Sequence, residues 1–204
     1  MTFQKRALSL FSATLLSASL LAPGAQAALT HTVVRGDTMW KLAVRYEVGT
    51  SEIITANPQV ANPDLIYPGD KLNIPQLDRT VLSYEEEVVR LVNDIRRQNG
   101  LGTLTLNWEL SRVARYKSQD MVDKRYFSHT SPTYGSPFQM MQAFGISYRT
   151  AGENIAYGYS TPQQVVNAWM NSEGHRKNIL NAGFTQIGVG YVPQGHYWTQ
   201  MFIG

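Results

Sequence analysis

The chain has 204 residues, contains no cysteine and carries 18 Lys and Arg against 15 Asp and Glu, a formal net charge of +3. Without cysteine, the fold uses no disulfides, and thiol nucleophiles, thiolate metal sites and lipid-modified cysteine anchors are excluded. No run of basic residues accompanies the small positive charge, so we expect neither nucleic acid nor anionic lipid as a partner.

The first 27 residues have the pattern of a secretory signal peptide. Lys5 and Arg6 form a positively charged start, an apolar run follows over residues 7–21, and Ala25-Gln26-Ala27 fits a small-x-small cleavage site. The apolar run is shorter than the roughly 20 residues that a membrane-spanning helix needs. We therefore predict a signal peptide over residues 1–27 and a secreted, extracellular protein with no transmembrane segment after cleavage.

Residues 29–76 have the pattern of a small unit in which two strands enclose two short helices. Thr32-Val33-Val34 is a short β-branched run, and Lys71-Leu72-Asn73-Ile74 alternates as a half-buried strand does. Asp37 or Thr38 can cap the first helix, whose apolar residues have helical spacing. The pattern therefore predicts the order strand, helix, helix, strand.

The same unit carries an ordered set of motif residues. They are Thr32-Val33-Val34-x-Gly36-Asp37-Thr38-x-Trp40-x-Leu42-Ala43, then Asn57-Pro58, then Leu65-Ile66-Tyr67-Pro68-Gly69-Asp70-Lys71-Leu72-x-Ile74-Pro75. This set resembles a LysM module over its full length. The resemblance implies a βααβ fold that binds N-acetylglucosamine-containing glycans such as peptidoglycan or chitin. It implies a glycan groove between two loops, with the contributing residues Gly36, Asp37, Thr38, Met39, Asn62, Asp64, Leu65 and Ile66.

The first of these loops has a second interpretation, in which Gly36, Asp37 and Thr38 only make a turn and a helix cap. In the binding interpretation, backbone amides and carbonyls of the groove hydrogen-bond acetamido groups above an apolar floor. Trp40 and Tyr46 are predicted to lie in the core and not to form a sugar platform, because small modules bury their aromatic residues.

A short linker over residues 77–82 is predicted to precede a second domain over residues 83–204. Ser83-Tyr84-Glu85-Glu86 has the capping-box pattern of a first helix, and Asn107 is a good cap for a second. Polar residues of that second helix are predicted to form a solvent-exposed face opposite its apolar stripe; they are Arg112, Arg115, Lys117 and Asp120. Helices followed by alternating strands around Pro193-Gln194-Gly195 predict an α+β fold.

Residues 83–204 also contain a dense set of motifs. They are Tyr126-Phe127-Ser128-His129-x-Ser131-Pro132, Ser136-Pro137-Phe138, Gly152-Glu153-Asn154-Ile155-Ala156, Val165-Val166-x-x-Trp169-Met170-x-Ser172-x-Gly174-His175-Arg176-x-Asn178-Ile179-Leu180 and Ile187-Gly188-Val189-Gly190. This set resembles a bacterial CAP (SCP-like extracellular) domain. The resemblance implies an α-β-α sandwich with a large cleft whose floor carries His129, Glu153 and His175. Many animal and plant relatives have a further cleft glutamate, whereas no Asp or Glu lies between His129 and Glu153 here.

The His129, Glu153 and His175 set allows three interpretations. Two neutral imidazoles and a carboxylate can bind Zn²⁺ through His129 and His175, with water in an open position, although the full set of acidic ligands is lacking. The set can instead perform acid–base catalysis, with Glu153 fixing a histidine tautomer. In the third interpretation it is a satisfied polar network on the cleft floor. Ser128 adjoins His129, but neighbours on an extended segment point apart, so a serine triad is not expected.

Together, the two resemblances predict a secreted, cell-wall-associated protein that binds peptidoglycan, or a related N-acetylglucosamine glycan, through its LysM module. The CAP cleft would then receive a ligand or a partner. The alternative is an enzyme, a hydrolase that uses the cleft against wall polymers or peptides. A weaker alternative is a carrier of a lipid or another hydrophobic ligand.

Overall fold

The computed structural model describes residues 29–204. The predicted signal peptide over residues 1–27 lies outside the described residues. Two sheets, one of two strands and one of four, belong to an N-terminal and a C-terminal unit. Within residues 29–204, no helix combines the length and the apolar character needed to cross a membrane.

The N-terminal unit is a two-stranded antiparallel sheet with two helices, and its elements are β1 (Leu29–Thr32), α1 (Met39–Tyr46), α2 (Thr50–Thr55) and β2 (Lys71–Ile74). The strand predicted over Lys71–Ile74 is confirmed. The first strand lies earlier in the chain than the predicted Thr32-Val33-Val34 run. Its pairing with β2 ends at Thr32, opposite Lys71. Beyond that point the Val33 amide donates to the carbonyl of Asp70, which precedes β2, at 2.8 Å.

The core of this unit consists of apolar residues from both helices and β2, with Leu42, Ile53 and Leu72 fully buried. The Thr38 hydroxyl caps α1 by accepting a hydrogen bond from the Lys41 amide at 3.1 Å. Tyr46 packs half-buried against the core as predicted. Trp40 is 66% exposed, so its predicted core position was wrong. The reason is helical spacing: the buried stripe of α1 is Met39, Leu42 and Ala43, and position 40 lies outside it.

The C-terminal unit contains the remaining elements, which are α3 (Arg79–Gln98), β3 (Thr105–Leu106), α4 (Trp108–Asp123), α5 (Pro137–Ala143), β4 (Ala151–Ala156), α6 (Pro162–Asn171), α7 (Glu173–Ile179), β5 (Gln186–Val192) and β6 (Tyr197–Ile203). The sheet order is β3-β5-β6-β4, parallel between β3 and β5 and antiparallel elsewhere. The predicted hairpin of β5 and β6 is confirmed. β4 is an edge strand of this sheet.

Two apolar clusters cover the two faces of the four-stranded sheet. One contains residues of α3, α6 and α7 together with Trp198 and Phe202 of β6. The other contains residues of α4 and α5 together with Met201 and Ile203 of the same strand. Alternate residues of β6 therefore face opposite helix layers. The predicted α+β class, with an α-β-α sandwich after a small βααβ unit, is confirmed.

Helix α4 lies directly on the backbone of β5 because two glycines leave room for it. A Cβ atom at Gly188 would lie 2.3 Å from the Leu110 carbonyl carbon, and one at Gly190 would lie 2.1 Å from the backbone nitrogen of Arg115. The Ser118 hydroxyl also donates to the Gly190 carbonyl at 2.9 Å. These contacts fix where the residues of α4 stand relative to the sheet.

The first helix of the C-terminal unit begins earlier than the capping-box pattern predicted. Asp78 is its cap, and the carboxylate accepts hydrogen bonds from the Thr80 amide at 2.7 Å and the Val81 amide at 3.3 Å. Residues 79–82, predicted to belong to the linker, are therefore helical. The predicted capping residue Ser83 lies inside the helix. The helix begins before Ser83 because the Asp78 carboxylate caps the first free amides, which belong to Thr80 and Val81.

The predicted solvent-exposed face of α4 was wrong. Lys117 is fully buried and Asp120 nearly so, while Arg112 and Arg115 are half-buried in ion pairs. Lys117 stands seven residues after Leu110 and four before Met121, which places it on the apolar stripe. This helix is also covered by the chain around residues 126–131 and by the N-terminal unit, so it has little solvent-exposed surface.

Helix α4 also provides the contact between the two units. The Glu52 carboxylate of α2 accepts hydrogen bonds from Arg112 Nε and from the Tyr116 hydroxyl, both at 2.7 Å. Burial raises the pKa of Glu52, but the bonds from Arg112 and Tyr116 outweigh it and lower the pKa below its ordinary value. An apolar cavity of about 360 Å³ lies beside this contact, between Val48 and Tyr191.

Candidate functional site

The three predicted cleft residues come from three separate elements around the edge strand β4. Glu153 lies on β4, and its side chain is only 1% exposed. His129 lies between α4 and α5 with 52% of its side chain exposed. His175 is half-buried in the first turn of α7. The strand and the helical turn predicted for Glu153 and His175 are both present.

His129 and Glu153 are in direct contact. Nδ1 of the imidazole lies 2.7 Å from Oε1 of the carboxylate. An ionised carboxylate only accepts hydrogen bonds, so Nδ1 carries the proton, and in the neutral ring Nε2 is then an acceptor. Glu153 thus fixes the tautomer of a half-exposed imidazole, as the acid–base interpretation requires.

His175 belongs to the same neighbourhood but makes no direct bond to the pair. Burial, and then the charge of nearby His129, lower the pKa of His175 below its ordinary value of 6.5. This imidazole is therefore neutral at pH 7. The structure brings together one carboxylate–imidazole pair and a second, neutral imidazole.

Buried Lys117 supports this site, although it was predicted to lie at the surface. Its Nζ donates to the carbonyls of Ser128 at 2.7 Å and His129 at 3.1 Å, and to the Tyr126 hydroxyl at 2.9 Å. Burial lowers the pKa of Lys117, and the negative charges of Glu153 and Asp120 oppose that shift. The ammonium therefore fixes the backbone on which His129 stands.

Asp120 holds the same loop by accepting hydrogen bonds from side chains of the loop. Its carboxylate accepts from the hydroxyls of Tyr126 at 2.5 Å, Ser131 at 2.7 Å and Thr133 at 2.6 Å. Burial raises the pKa of Asp120, but these three bonds lower it more, so the net shift is downward. Tyr126 and Ser131 both belong to the motif around His129, but the sequence does not show that Asp120 is the partner of both.

Helix α7 is tied to β4 by two asparagines, which hold His175 in place. Asn178 Nδ2 donates to the Glu153 carbonyl at 3.1 Å and to Asn154 Oδ1 at 2.8 Å. Asn154 Nδ2 in turn donates to the His175 carbonyl at 3.1 Å. Both asparagines belong to the motifs that contain Glu153 and His175, so motif residues next to these two fix the position of α7 against β4.

Two buried polar atoms near β4 have no hydrogen-bond partner within the described residues, Oε2 of Glu153 and Nε2 of Gln200. Buried polar groups are satisfied in most native structures, so each such atom needs a reason. Oε2 of Glu153 lies in the field of the Lys117 ammonium, which stabilises a negative charge there. Oε1 of the same carboxylate holds His129, and Oε2 has no hydrogen-bond partner among the described residues.

Comparison with known proteins gives the family. Residues 89–202, more than half of the chain, match the model of the cysteine-rich secretory protein family, also called CAP. The chain belongs to the CAP family. Residues 31–75 match the LysM domain. The two resemblances stated from sequence motifs are confirmed.

Similar proteins occur in bacilli. The chain is 65% identical over 125 residues to the uncharacterized protein YkwD of Bacillus subtilis, covering 61% of this chain and 49% of YkwD. It is 47% identical over 45 residues to SpoIVD-associated factor A of the same organism, covering 22% of this chain and 12% of that protein. A crystal structure of an SCP-domain extracellular protein from Bacillus anthracis superposes with a TM-score of 0.59 at 35% identity, covering 67% of this chain and 47% of that one. The chain thus spans about half the length of YkwD and of the B. anthracis protein.

The CAP residues do not fit the zinc site that was one interpretation of the cleft. A catalytic zinc ion takes three protein ligands and leaves a position open for water. Within residues 29–204, no three or more His, Cys, Asp or Glu side chains are grouped so that they could hold a metal ion. His129 and His175 therefore lack the third ligand, and no chemical step is assigned to zinc.

Ser128 is not poised as a nucleophile in the CAP cleft. Its hydroxyl oxygen accepts a hydrogen bond from the Thr130 amide at 3.2 Å. Among the described side chains, the one hydrogen-bonded to the His129 ring is Glu153. The pair therefore has an oriented base but no hydroxyl nucleophile bonded to it.

In the LysM domain, the side chains of the first predicted loop are used structurally. The Asp37 carboxylate accepts from the Val34 amide at 2.9 Å and contacts His31 Nε2 at 2.8 Å, and these bonds lower its pKa. Thr38 caps α1 and Met39 is buried. The Asp37 and Thr38 side chains therefore make the turn and the cap, and Met39 packs in the core. The predicted glycan contacts of this loop stay a prediction.

The second predicted loop contributes to a shallow concavity of about 380 Å³. Asn62 and Leu65 line it, together with Tyr67, which is 58% exposed, and Lys71. Of the other predicted residues, Asp64 is exposed and Ile66 packs half-buried against the LysM core. Tyr67 was missed as a candidate contact, although it lies in the quoted LysM motif.

Proposed function

We propose that this protein is a secreted, wall-associated binding protein whose LysM domain holds it on peptidoglycan while its CAP cleft receives a ligand or partner. A LysM domain implies binding to N-acetylglucosamine glycans. The exposed ring of Tyr67 beside Leu65 and Asn62 supports this role, because a sugar can pack against the ring and bond to the amide.

The observation that carries the role of the CAP cleft is the contact of Glu153 with His129. A carboxylate that is almost fully buried holds an imidazole that is half-exposed, with Nε2 available as an acceptor. Burying a carboxylate is costly unless neighbours stabilise its charge, and Lys117 and His129 do so. The cleft is therefore pre-organised to accept a hydrogen bond from a ligand.

Secretion and wall association are supported by the signal-peptide pattern of residues 1–27 and by the LysM domain. The similar B. anthracis protein is described as extracellular. An exported location would place the CAP cleft near wall glycans and near proteins that act on them.

Co-sedimentation with purified peptidoglycan tests this proposal. We expect the mature protein to pellet with peptidoglycan, and a Leu65→Ala/Tyr67→Ala variant to stay largely in the supernatant. Phe138→Ala is the matched control, because Phe138 is an equally exposed aromatic residue of the CAP domain. Wild-type protein that remains in the supernatant would rule out anchoring by the LysM domain.

Hydrolysis is the second candidate function, and the fixed tautomer of His129 is the observation that favours it. Nε2 of His129 could take a proton from a water molecule as the water attacks a scissile bond, which is general-base catalysis. Mass spectrometry of products released from peptidoglycan tests this. Fragments released by the wild type but not by a His129→Ala/Glu153→Ala/His175→Ala variant would establish an enzyme.

A further inference from the structure

We propose that the CAP domain carries its own carbohydrate-binding surface, an aromatic platform of Phe127, Tyr157 and Tyr197 beside His129, which binds a neutral glycan chain. This inference rests on the proposed binding role of the cleft and names its ligand class. The platform is separate from the LysM groove, since all three rings belong to the CAP domain.

The three rings are in contact with one another. Phe127 and Tyr157 are edge-on with ring centroids 4.7 Å apart, and Tyr157 and Tyr197 are stacked at 5.6 Å. Phe127 is 46% exposed and Tyr157 is 55% exposed. Clustered aromatic surface of this kind in contact with solvent is a typical mark of a binding site.

The platform and the His129–Glu153 pair are built from the same two segments of the chain. Phe127 lies two residues before His129, and Tyr157 lies four residues after Glu153, just beyond the end of β4. Two contacts join the segment of Phe127 and His129 to the segment of Glu153 and Tyr157: Phe127 contacts Tyr157, and His129 contacts Glu153. Four residues of extended chain span about 13 Å. A ligand of more than one ring can therefore contact both places.

The backbone around the platform is held in place before any ligand arrives. The Gly158 amide donates to the carbonyls of Gly195 at 3.2 Å and His196 at 3.1 Å. The Trp198 indole donates to the Tyr159 carbonyl at 2.7 Å. These bonds fasten the segment after β4 to the β5–β6 turn. A pre-organised surface loses less conformational entropy on binding.

The chemistry of the platform and His129 fits a sugar. One face of a pyranose ring consists of C–H groups, which pack against the negative face of an aromatic ring. The hydroxyls at the edge of the sugar can donate to Nε2 of His129 and exchange hydrogen bonds with the two tyrosine hydroxyls. The three platform side chains carry no charge, so they offer no ionic contact to a charged ligand.

The size of the platform also favours a sugar over a protein partner. A fully buried aromatic side chain covers about 150–250 Å², so three half-exposed rings offer on the order of 300 Å². A stable protein interface takes about 800 Å² from each partner. The LysM domain of the same chain would raise the local concentration of glycan at this surface, so a weak site suffices.

The test is a nitrogen-15 NMR titration of the mature protein with the N-acetylglucosamine hexamer. We expect saturable shifts in two groups of amide signals, around Asn62 and Leu65 in the LysM domain and around His129 and Gly158 beside the platform. In a Phe127→Ala/Tyr157→Ala variant, the amide signals beside the platform should no longer shift, while the LysM signals should shift as in the wild type. Affinity for the hexamer at the platform should fall by about tenfold or more.

Phe138→Ala again serves as the control and should leave both groups of shifts unchanged. The wild-type titration decides the matter even if the double variant folds poorly. LysM signals that shift while the platform signals stay still would overturn the platform and leave wall binding intact. If neither group shifts with the hexamer, both the platform and the proposed glycan binding are wrong.

Discussion

The LysM and CAP domains differ in how they treat polar side chains. Of the polar residues that are buried as whole residues in the described part of the protein, one lies in the LysM domain: Asn57, which bonds to the Asn73 amide and carbonyl at 2.8 Å each. The Asp37 side chain of that domain is also only 5% exposed. The CAP domain buries several charged side chains, namely Glu85, Arg96, Lys117, Asp120 and Glu153. Three of these, Lys117, Asp120 and Glu153, contact His129 or the loop that carries it.

This difference indicates where each domain can recognise a ligand. Buried charge is costly, so a fold keeps it only where hydrogen bonds compensate for the lost hydration. In the CAP domain that arrangement fixes His129 as an acceptor. In the LysM domain, Asp37 and Thr38 serve the fold, so we propose that recognition uses backbone groups and exposed rings such as Tyr67. The following predictions test this contrast.

The largest effect is expected from Lys117→Met. The substitution leaves the carbonyls of Ser128 and His129 without their donor and removes the positive charge beside Glu153. We expect the free energy of unfolding to fall by about 3 kcal/mol, as measured by denaturant titration. Lys177→Met is the control, because that exposed lysine pairs only with Glu173, and it should change stability by less than about 0.5 kcal/mol. Equal effects of the two substitutions would contradict the supporting role of Lys117.

Glu85 should give the CAP domain a distinctive pH dependence. Burial raises the pKa of Glu85 from 4.5 to about 7, against the opposing effect of Arg115. Between pH 4.5 and about 7, Glu85 keeps its proton in the native protein but has lost it in the unfolded chain. The contribution of Glu85 to the free energy of unfolding therefore falls as pH rises from 4.5 to about 7, and it is constant above pH 7. The expected change is on the order of 2 kcal/mol.

The measurement is denaturant unfolding of wild type and Glu85→Gln at pH 5, 6, 7 and 8. The difference in free energy of unfolding between the two proteins isolates Glu85 from other titrating groups. We expect wild type to lose stability relative to the variant from pH 5 to 7. Parallel profiles would mean that Glu85 keeps an ordinary pKa.

A smaller effect is expected where the two domains meet. Arg112 and Glu52 form a half-buried pair with a shared Tyr116 hydrogen bond. In a double-mutant cycle of Glu52→Gln and Arg112→Met, we expect a coupling energy of about 1 kcal/mol. The same cycle on the exposed pair Glu87 and Arg90 should give less than about 0.5 kcal/mol. No coupling in the first cycle would show that the domains are not held by this contact in solution.

The smallest effect concerns the two cleft imidazoles. Burial is the main cause of the low pKa of His175, and the positive charge of a protonated His129 adds to it, so His129→Asn should raise the pKa of His175 slightly towards 6.5. Proton NMR titration of the imidazole signals measures this shift. His196→Asn is the control, since His196 bonds to Tyr191 instead. An unchanged pKa in the His129 variant would place the two rings too far apart to interact.

The sequence predicted most of the fold because its elements are marked by local chemistry. Caps such as Thr38 and Asn107, and the turn before Tyr197, act within a few residues and can be recognised from the sequence alone. The motifs also identified Glu153 and His129, which the structure brings into contact.

The errors came from following residue type instead of helical spacing, and from contacts between segments that are separate in the sequence. Lys117 is polar, so it was assigned to the surface although its spacing places it on the apolar stripe; its partners lie 9 to 12 residues further along the chain. Trp40 was assigned to the core by residue type, while helical spacing places it outside. The Phe127 platform requires the α4–α5 loop, β4 and β6 to meet, which no local pattern shows.

The most direct test of the account is to incubate purified peptidoglycan with the mature protein and then analyse both fractions. The account predicts that the protein appears in the pellet and that the supernatant contains no new glycan or peptide fragments by mass spectrometry. Protein that stays in the supernatant would contradict wall binding. Fragments that disappear with the His129→Ala/Glu153→Ala/His175→Ala variant would contradict a purely binding cleft and make the protein a hydrolase.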